Sequence, residues 1–186
     1  MSTIKVPENL TLPVIQWVRK LSHRKKYLDL TPPEHVGNVV GARFVNKKTF
    51  PIYKELKEIN QYILKELGYK KNTPICKHDG WFLSYSEKGH IVHTHKDKNP
   101  DDDHYIVRFN VIISKPETGG NPIINDKVIE VKENEVWVCK AGEDFHSTTE
   151  VKGDYPRVMI SFGHYIKKEY RDNRSRFCWG CNLSKV

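Results

Sequence analysis

The sequence predicts an α+β fold, helices first and a sandwich of short β-strands after them, and three observations carry that expectation. The hydrophobic period changes near residue 75, from steps of three and four to alternation by two. Clusters of Gly, Asn, Asp and Pro then punctuate the chain at short intervals, as between the strands of an antiparallel sandwich. The 186 residues are 38% hydrophobic and 29% charged, which is enough apolar material for one soluble domain with its own core. Many short strands after helices point to a jelly-roll, a cupin-like barrel with N-terminal helices as its support. On that basis the chain divides into a mainly helical segment over 1–74, a strand-rich core over 75–166 and a polar, basic tail over 167–186.

Taken in order, Leu12 to Tyr69 reads as mainly helical, with Val14, Ile15, Trp17, Val18 and Leu21 forming one mixed face. Thr31-Pro32-Pro33 and the stretch from Gly37 to Gly41 read as loop. A cleaner helix runs from Pro51 to Leu67, where Ile52, Leu56, Ile59, Ile63 and Leu67 recur on one side and Gly68 ends the run. Strands follow over Trp81 to Tyr85, Ile91 to His95, His104 to Ser114, Lys127 to Val131, Glu135 to Lys140 and Arg157 to Ile166, all rich in β-branched and aromatic residues. Turns separate them at Glu87-Lys88-Gly89, Asn99-Pro100-Asp101, Thr118-Gly119-Gly120, Asn125-Asp126 and Gly153-Asp154. No internal repeat is present.

Composition narrows the function classes. No apolar run follows the first charged residues and none is long enough to span a bilayer, so neither a secretory signal nor a membrane segment is expected. Four cysteines without an export signal fit a reducing, cytoplasmic interior better than a disulfide framework. A net charge of +8 permits attraction to nucleic acid, but the excess is scattered along the chain. Nothing in the sequence assigns an oligomeric state.

The chemistry gathers at four positions. His95-Lys96-Asp97 sets an imidazole and a carboxylate two residues apart, so on extended backbone both point to one face. His146 follows the strand ending near Cys139, and Arg157 opens the last strand. Two histidines and one carboxylate are the donor set that holds iron(II) with positions left for oxygen and a chelating acid. An arginine nearby offers a two-pronged clamp for a carboxylate. His93 and His95 also share a face and would make a His-x-His site of the cupin kind. Such a site takes a glutamate a few residues on, where Asn99-Pro100 stands, so His95 with Asp97 is the expected pair and His93 a supporting or wall residue. The plain alternative is a set of histidines that only hydrogen-bond inside a sandwich.

In this arrangement the sequence resembles the iron(II)/2-oxoglutarate dioxygenases, and within them the prolyl-4-hydroxylase-like group. The resemblance spans Trp81 to Ile166. Tyr85 through Gly89 to His95-Lys96-Asp97 is similar to that group's tyrosine, glycine and His-x-Asp entry; Arg108 to Gly120 (RFNVIISKPETGG) resembles its paired strands closing on a Gly-Gly turn. Val136 to Cys139, His146, and then Glu150 to Arg157 resemble its closing series of strand, histidine, valine, glycine and basic residue. The resemblance implies a double-stranded β-helix, Fe(II) held by His95, Asp97 and His146, and 2-oxoglutarate as co-substrate with Arg157 on its distal carboxylate. With O2, such an enzyme hydroxylates its substrate and releases succinate. Tyr85 and Asn110 are candidates for further co-substrate contacts, and Arg108 and His93 for the substrate or the surroundings of the metal. Three positions depart from the pattern: Val92 replaces a frequent tyrosine, Arg157 stands where prolyl members carry lysine, and Met159 interrupts the Arg-x-Ser of other branches. The carboxylate at Asp97 favours hydroxylation over halogenation, since halogenases of this fold lack one there.

By that resemblance the expected substrate is a protein or peptide side chain. A nucleobase or nucleic acid, or a free amino acid, is the alternative, and a non-catalytic metal-binding interaction module is a third reading. Three other features stand apart. Cys76, His78, Cys178 and Cys181 offer a candidate zinc set, against the plainer reading of unpaired thiols. Asp101, Asp102 and Asp103 form either a lure for a cationic substrate or a solvated turn. Arg171, Arg174 and Arg176 beside Phe177 and Trp179 would suit phosphates and bases, or simply a solvated end.

Overall fold

Trp81, Leu83, Val107, Phe109, Val111, Val158, Ile160 and Phe162 alternate along three strands, and this alternation builds the core of the molecule. In the computed structural model the described residues are 4–20, 51–77 and 80–168, with 29–30 and 41–45 described as backbone alone. Helix α1 spans Glu8–Arg19 and α2 spans Tyr53–Glu66. The strands are β1 Asp29–Leu30, β2 Gly41–Val45, β3 Trp81–Ser86, β4 His104–Ser114, β5 Thr118–Gly119, β6 Pro122–Ile124, β7 Lys127–Val128, β8 Val136–Cys139, β9 His146–Thr148, β10 Val151–Lys152 and β11 Arg157–Lys167. Every pairing among them is antiparallel.

The main sheet has the order β1-β2-β3-β11-β4-β8; two small sheets have the orders β10-β5 and β7-β6-β9. One face of the main sheet packs on the helices. Val14, Trp17 and Val18 of α1 and Leu56, Ile59, Ile63 and Leu64 of α2 recur at three- and four-residue steps and meet the alternating apolar residues of β3, β4 and β11. The Trp81 ring stacks on Tyr53 at 5.6 Å and meets Phe162 edge-on at 5.5 Å, joining α2, β3 and β11. The opposite face carries a second cluster, Ile106, Ile112, Trp137 and Cys139, which reaches Ile124 of β6. The site lies on this second face.

Helix α2 lies within the span its sequence predicts. Helix α1 begins at Glu8, ahead of the expected Leu12, because Pro7 precedes it and Glu8 places an acid against its positive end. The segment read as mainly helical also supplies β1 and β2, and Gly41, read as loop, opens a strand paired to β3. The run Gly41–Val45 is too short for its period to declare itself. The strand expected over Ile91 to His95 is reduced to one bridge at His95: Thr148 Oγ1, rather than a carbonyl, accepts the Val92 N–H at 3.0 Å, so no regular ladder forms. The strand expected from Lys127 ends at Val128, and β5, β6, β9 and β10 lie in stretches of two or three residues between or inside turns. Residues 169–186, most of the basic tail with Arg171, Arg174, Arg176, Phe177 and Trp179, lie outside the described residues. Among the described residues no helix is long and apolar enough to cross a membrane.

Candidate metal centre

His95 and His146 are brought together by backbone. The His95 N–H donates to the His146 carbonyl at 3.1 Å and the His146 N–H returns the bond at 2.9 Å. Their rings stand 4.2 Å apart by centroid. Two residues past His95, the Asp97 N–H donates to the Ala141 carbonyl at 2.7 Å, which ties the loop to the turn preceding His146. That turn is closed by Asp144, whose carboxylate accepts from the Lys140 N–H and from Asn125 Nδ2, while the Phe145 N–H donates to Asn125 Oδ1. Gly142 leaves the space into which Asn99 folds: a Cβ there would lie 1.8 Å from Asn99 Oδ1, which accepts the Ile106 N–H.

One donor atom each of His95, Asp97 and His146 lies within 4.8 Å of the others, a group that can hold a metal ion. The tautomers suit that role. His95 Nδ1 donates to the His93 carbonyl at 2.8 Å and His146 Nδ1 to the Asp144 carbonyl at 3.1 Å. A carbonyl only accepts, so each Nδ1 carries a proton, and in the neutral form of each ring the lone pair is on Nε2, on the side of the centre. Asp97 Oδ1 is 3.8 Å from His95 Nε2 and 3.9 Å from His146 Nε2. Burial pushes the Asp97 carboxyl up, but the charge and hydrogen bond of Arg108, with His146 and His95 adding, hold it below its ordinary value. Burial lowers His146 as well, against the Asp144 carbonyl. An ionised Asp97 carboxylate and a His146 imidazole disfavoured as a cation suit a divalent ion.

Arg157 lies on the same face of β11 as Met159 and Ser161, at 2% exposure. Its Nε donates to the Gly120 carbonyl at 2.7 Å and its Nη2 to Met159 Sδ at 3.1 Å. No carboxylate of the described residues is paired with it, and burial pulls its pKa down to about 10. Gly120 is needed here twice over, for its φ of +65° and because a Cβ would stand 2.9 Å from Arg157 Cδ. Nearby, His90 Nε2, Ser84 Oγ and Ser161 Oγ are buried without hydrogen-bond partners. Burial, then the charges of Arg157 and His93, push His90 down to about 4, so it is neutral. A buried, unneutralised guanidinium among unpaired polar atoms fits the carboxylate of a polar ligand.

The other candidates separate. Asn110 faces the same side as Arg108, opposite Ser161 and Trp137, and its Nδ2 donates to the Arg108 carbonyl at 3.3 Å. Tyr85 stands instead in the helix-facing core beside Leu83, paired with Val158, because Ser86 and not Tyr85 is the residue opposite Arg157. The exposed His93 contributes its carbonyl to His95. Asp101 binds its own loop, accepting from the Asp103 and His104 N–H groups. Cys76 is buried at 4% exposure, and its proposed zinc partners His78, Cys178 and Cys181 lie outside the described residues. Sequence reasoning did not single out His90 or Ser161, which carry no motif and are marked only by burial without partners.

No protein-family sequence model and no curated protein sequence matches the chain. Its fold is shared with solved oxygenases. A Pseudomonas putida prolyl-4-hydroxylase superposes with a TM-score of 0.57 at 13% identity, over 88% of this chain and 90% of that one. A viral collagen prolyl hydroxylase from Paramecium bursaria Chlorella virus-1, solved with 2-oxoglutarate, gives 0.54 at 14% identity over 89% and 96%. HygX from Streptomyces hygroscopicus, solved with nickel and 2-oxoglutarate, gives 0.58 at 13% identity over 86% and 79%. At such identities the likeness is one of fold.

Proposed function

We propose that this chain is an Fe(II)/2-oxoglutarate-dependent dioxygenase that hydroxylates a protein or peptide side chain, its sheets forming the two halves of a double-stranded β-helix. One observation carries the reading: three donors, His95 Nε2, Asp97 Oδ1 and His146 Nε2, converge on the sheet face that also buries Arg157, which no carboxylate of the described residues neutralises. The donor set suits iron(II) with open positions, and the guanidinium suits an acid with a second, distal carboxylate. Iron(II) held by His95, Asp97 and His146 would supply the redox chemistry that couples loss of carbon dioxide from 2-oxoglutarate to hydroxylation, one atom of O2 ending in succinate and the other in the product hydroxyl.

The chain's own groups have distinct tasks. His95 and His146 present fixed lone pairs because backbone carbonyls hold their Nδ1 protons. Arg157 orients the co-substrate, its guanidinium held in place by Nε on the Gly120 carbonyl and Nη2 on Met159 Sδ, with N–H groups left over for a carboxylate. Ser161 and Asn110 stand opposite each other on the sheet face that carries Arg157. The peptide preference rests on the hydroxylases that share the fold. The charge of +8 favours nucleic acid as the second substrate class.

The test is anaerobic titration with iron(II) and 2-oxoglutarate, watching for the weak visible charge-transfer band of the chelate. A band that His146→Ala abolishes supports the reading; a folded, iron-loaded protein without one refutes it. Succinate release over peptide and oligonucleotide panels then separates the substrates, and steep salt dependence marks the nucleic acid.

A further inference from the structure

Asp97 has two oxygens, and the fold spends them differently. Oδ1 faces the imidazoles, whereas Oδ2 accepts from Arg108 Nε at 2.6 Å. The Arg108 side chain is 8% exposed and sits on an interior strand of the main sheet, β4 being flanked by β11 and the edge strand β8. Its seat is shaped on two sides. The Phe82 ring lies 5.1 Å from Cζ, and across the strand pair Gly163 leaves room where a Cβ would stand 3.0 Å from Nη1.

We infer that Arg108 is a positioning residue of the metal centre, holding one oxygen of Asp97 so that this carboxylate offers the ion a single donor atom. The inference rests on the metal-binding reading above and deepens it. A carboxylate free to turn can grip a divalent ion with both oxygens. Three single-atom ligands leave half of an octahedral shell open, room for a two-point chelate and one further small molecule; a two-oxygen grip by Asp97 would close one of those positions. The short charge-assisted bond from a rigid strand opposes that turn. Arg108 thereby preserves the capacity of the site, although it touches neither ion nor co-substrate.

The experiment uses the full chain with cobalt(II) as a spectroscopic stand-in, titrated anaerobically with and without 2-oxoglutarate. Wild type is expected to show a weak visible band that shifts when the acid is added. Arg108→Gln should bind cobalt about 10–100-fold more weakly and lose the acid-induced shift, with the far-ultraviolet circular dichroism of the metal-free protein unchanged. Arg108→Lys, which keeps the charge but not the fork, should recover part of both. Wild type without cobalt binding overturns the metal-centre reading itself. Binding and spectra in Arg108→Gln identical to wild type overturn only the inference about Arg108. Should Arg108→Gln not fold, the wild type still decides: the Arg108 Nε–H proton resonance, assigned by its loss in Arg108→Lys, should stay protected from exchange when zinc(II) is added. Its release on zinc binding would mean that Asp97 has turned both oxygens to the ion, and would overturn the inference.

Discussion

Replacing Arg157 by methionine keeps an unbranched apolar stem but removes the guanidinium. With Nε held by Gly120 and one Nη2 hydrogen on Met159 Sδ, Nη1 and the second Nη2 hydrogen remain for a ligand carboxylate. Charge-assisted bonds contribute about 1.5–3 kcal/mol each, and losing one partner of a buried ion pair costs about 2–5 kcal/mol. A loss of about 3–5 kcal/mol corresponds to roughly a hundred- to several-thousand-fold weaker 2-oxoglutarate binding. The assay is anaerobic titration calorimetry of iron-loaded wild type and Arg157→Met, repeated with pyruvate, a 2-oxo acid that lacks the distal carboxylate. Pyruvate should bind both proteins alike, since Arg157 does not serve its only carboxylate. The reasoning is refuted if Arg157→Met binds 2-oxoglutarate within about threefold of wild type, or if pyruvate loses as much affinity as 2-oxoglutarate.

Asp97→Ala and His146→Ala should each abolish stoichiometric iron(II) binding while leaving the far-ultraviolet circular dichroism unchanged; iron bound as in wild type would remove either residue from the ligand set. Gly120→Ala should destabilise the fold by about 1–2 kcal/mol, from the positive φ, and weaken 2-oxoglutarate binding with metal affinity retained, because the new Cβ meets Arg157 Cδ at 2.9 Å. The buried His164 should make the protein acid-sensitive. Burial lowers its pKa from 6.5 to about 4, so below pH 6.5 the unfolded chain takes the proton first and stability falls until the folded pKa is passed. Between pH 7 and 4.5 this amounts to about 2–3 kcal/mol, read from urea unfolding. A flat profile, or one just as steep in His164→Asn, would contradict it.

The sequence reveals what chemistry restricts and conceals what the sheet register decides. His95, Asp97 and His146 are legible because few residue types bind metal and because two positions apart on extended backbone means one face. Arg108 was visible as a strand residue, but its bond to Asp97 depends on a loop folding back onto β4, which no local pattern encodes. Tyr85 illustrates the opposite failure. A tyrosine on an inner strand has even odds of facing either side, and its pairing with Val158 turns it to the helices. Strands of two or three residues, such as β5, β9 and β10, fall below the length at which alternation can be read. They pair with one another, β5 with β10 and β9 with β6, so neither strand of a pair is long enough to announce its partner.

The paired backbone bonds between His95 and His146 also bear on chain topology. A metal ion joining these two side chains would close a covalent-like loop of about fifty residues, and closure entropy grows only with the logarithm of that length. By the relation used for disulfides, constraining such a loop removes about 4 kcal/mol of conformational freedom from the unfolded chain. The backbone bonds already hold the loop ends together in the native state, so little native strain offsets that gain. Such an ion would in this sense be a staple as well as a reagent, and its loss would slacken the loop and turn that carry Asp97 and His146 before β4, whose Val107, Phe109 and Val111 are buried against the helices, yields.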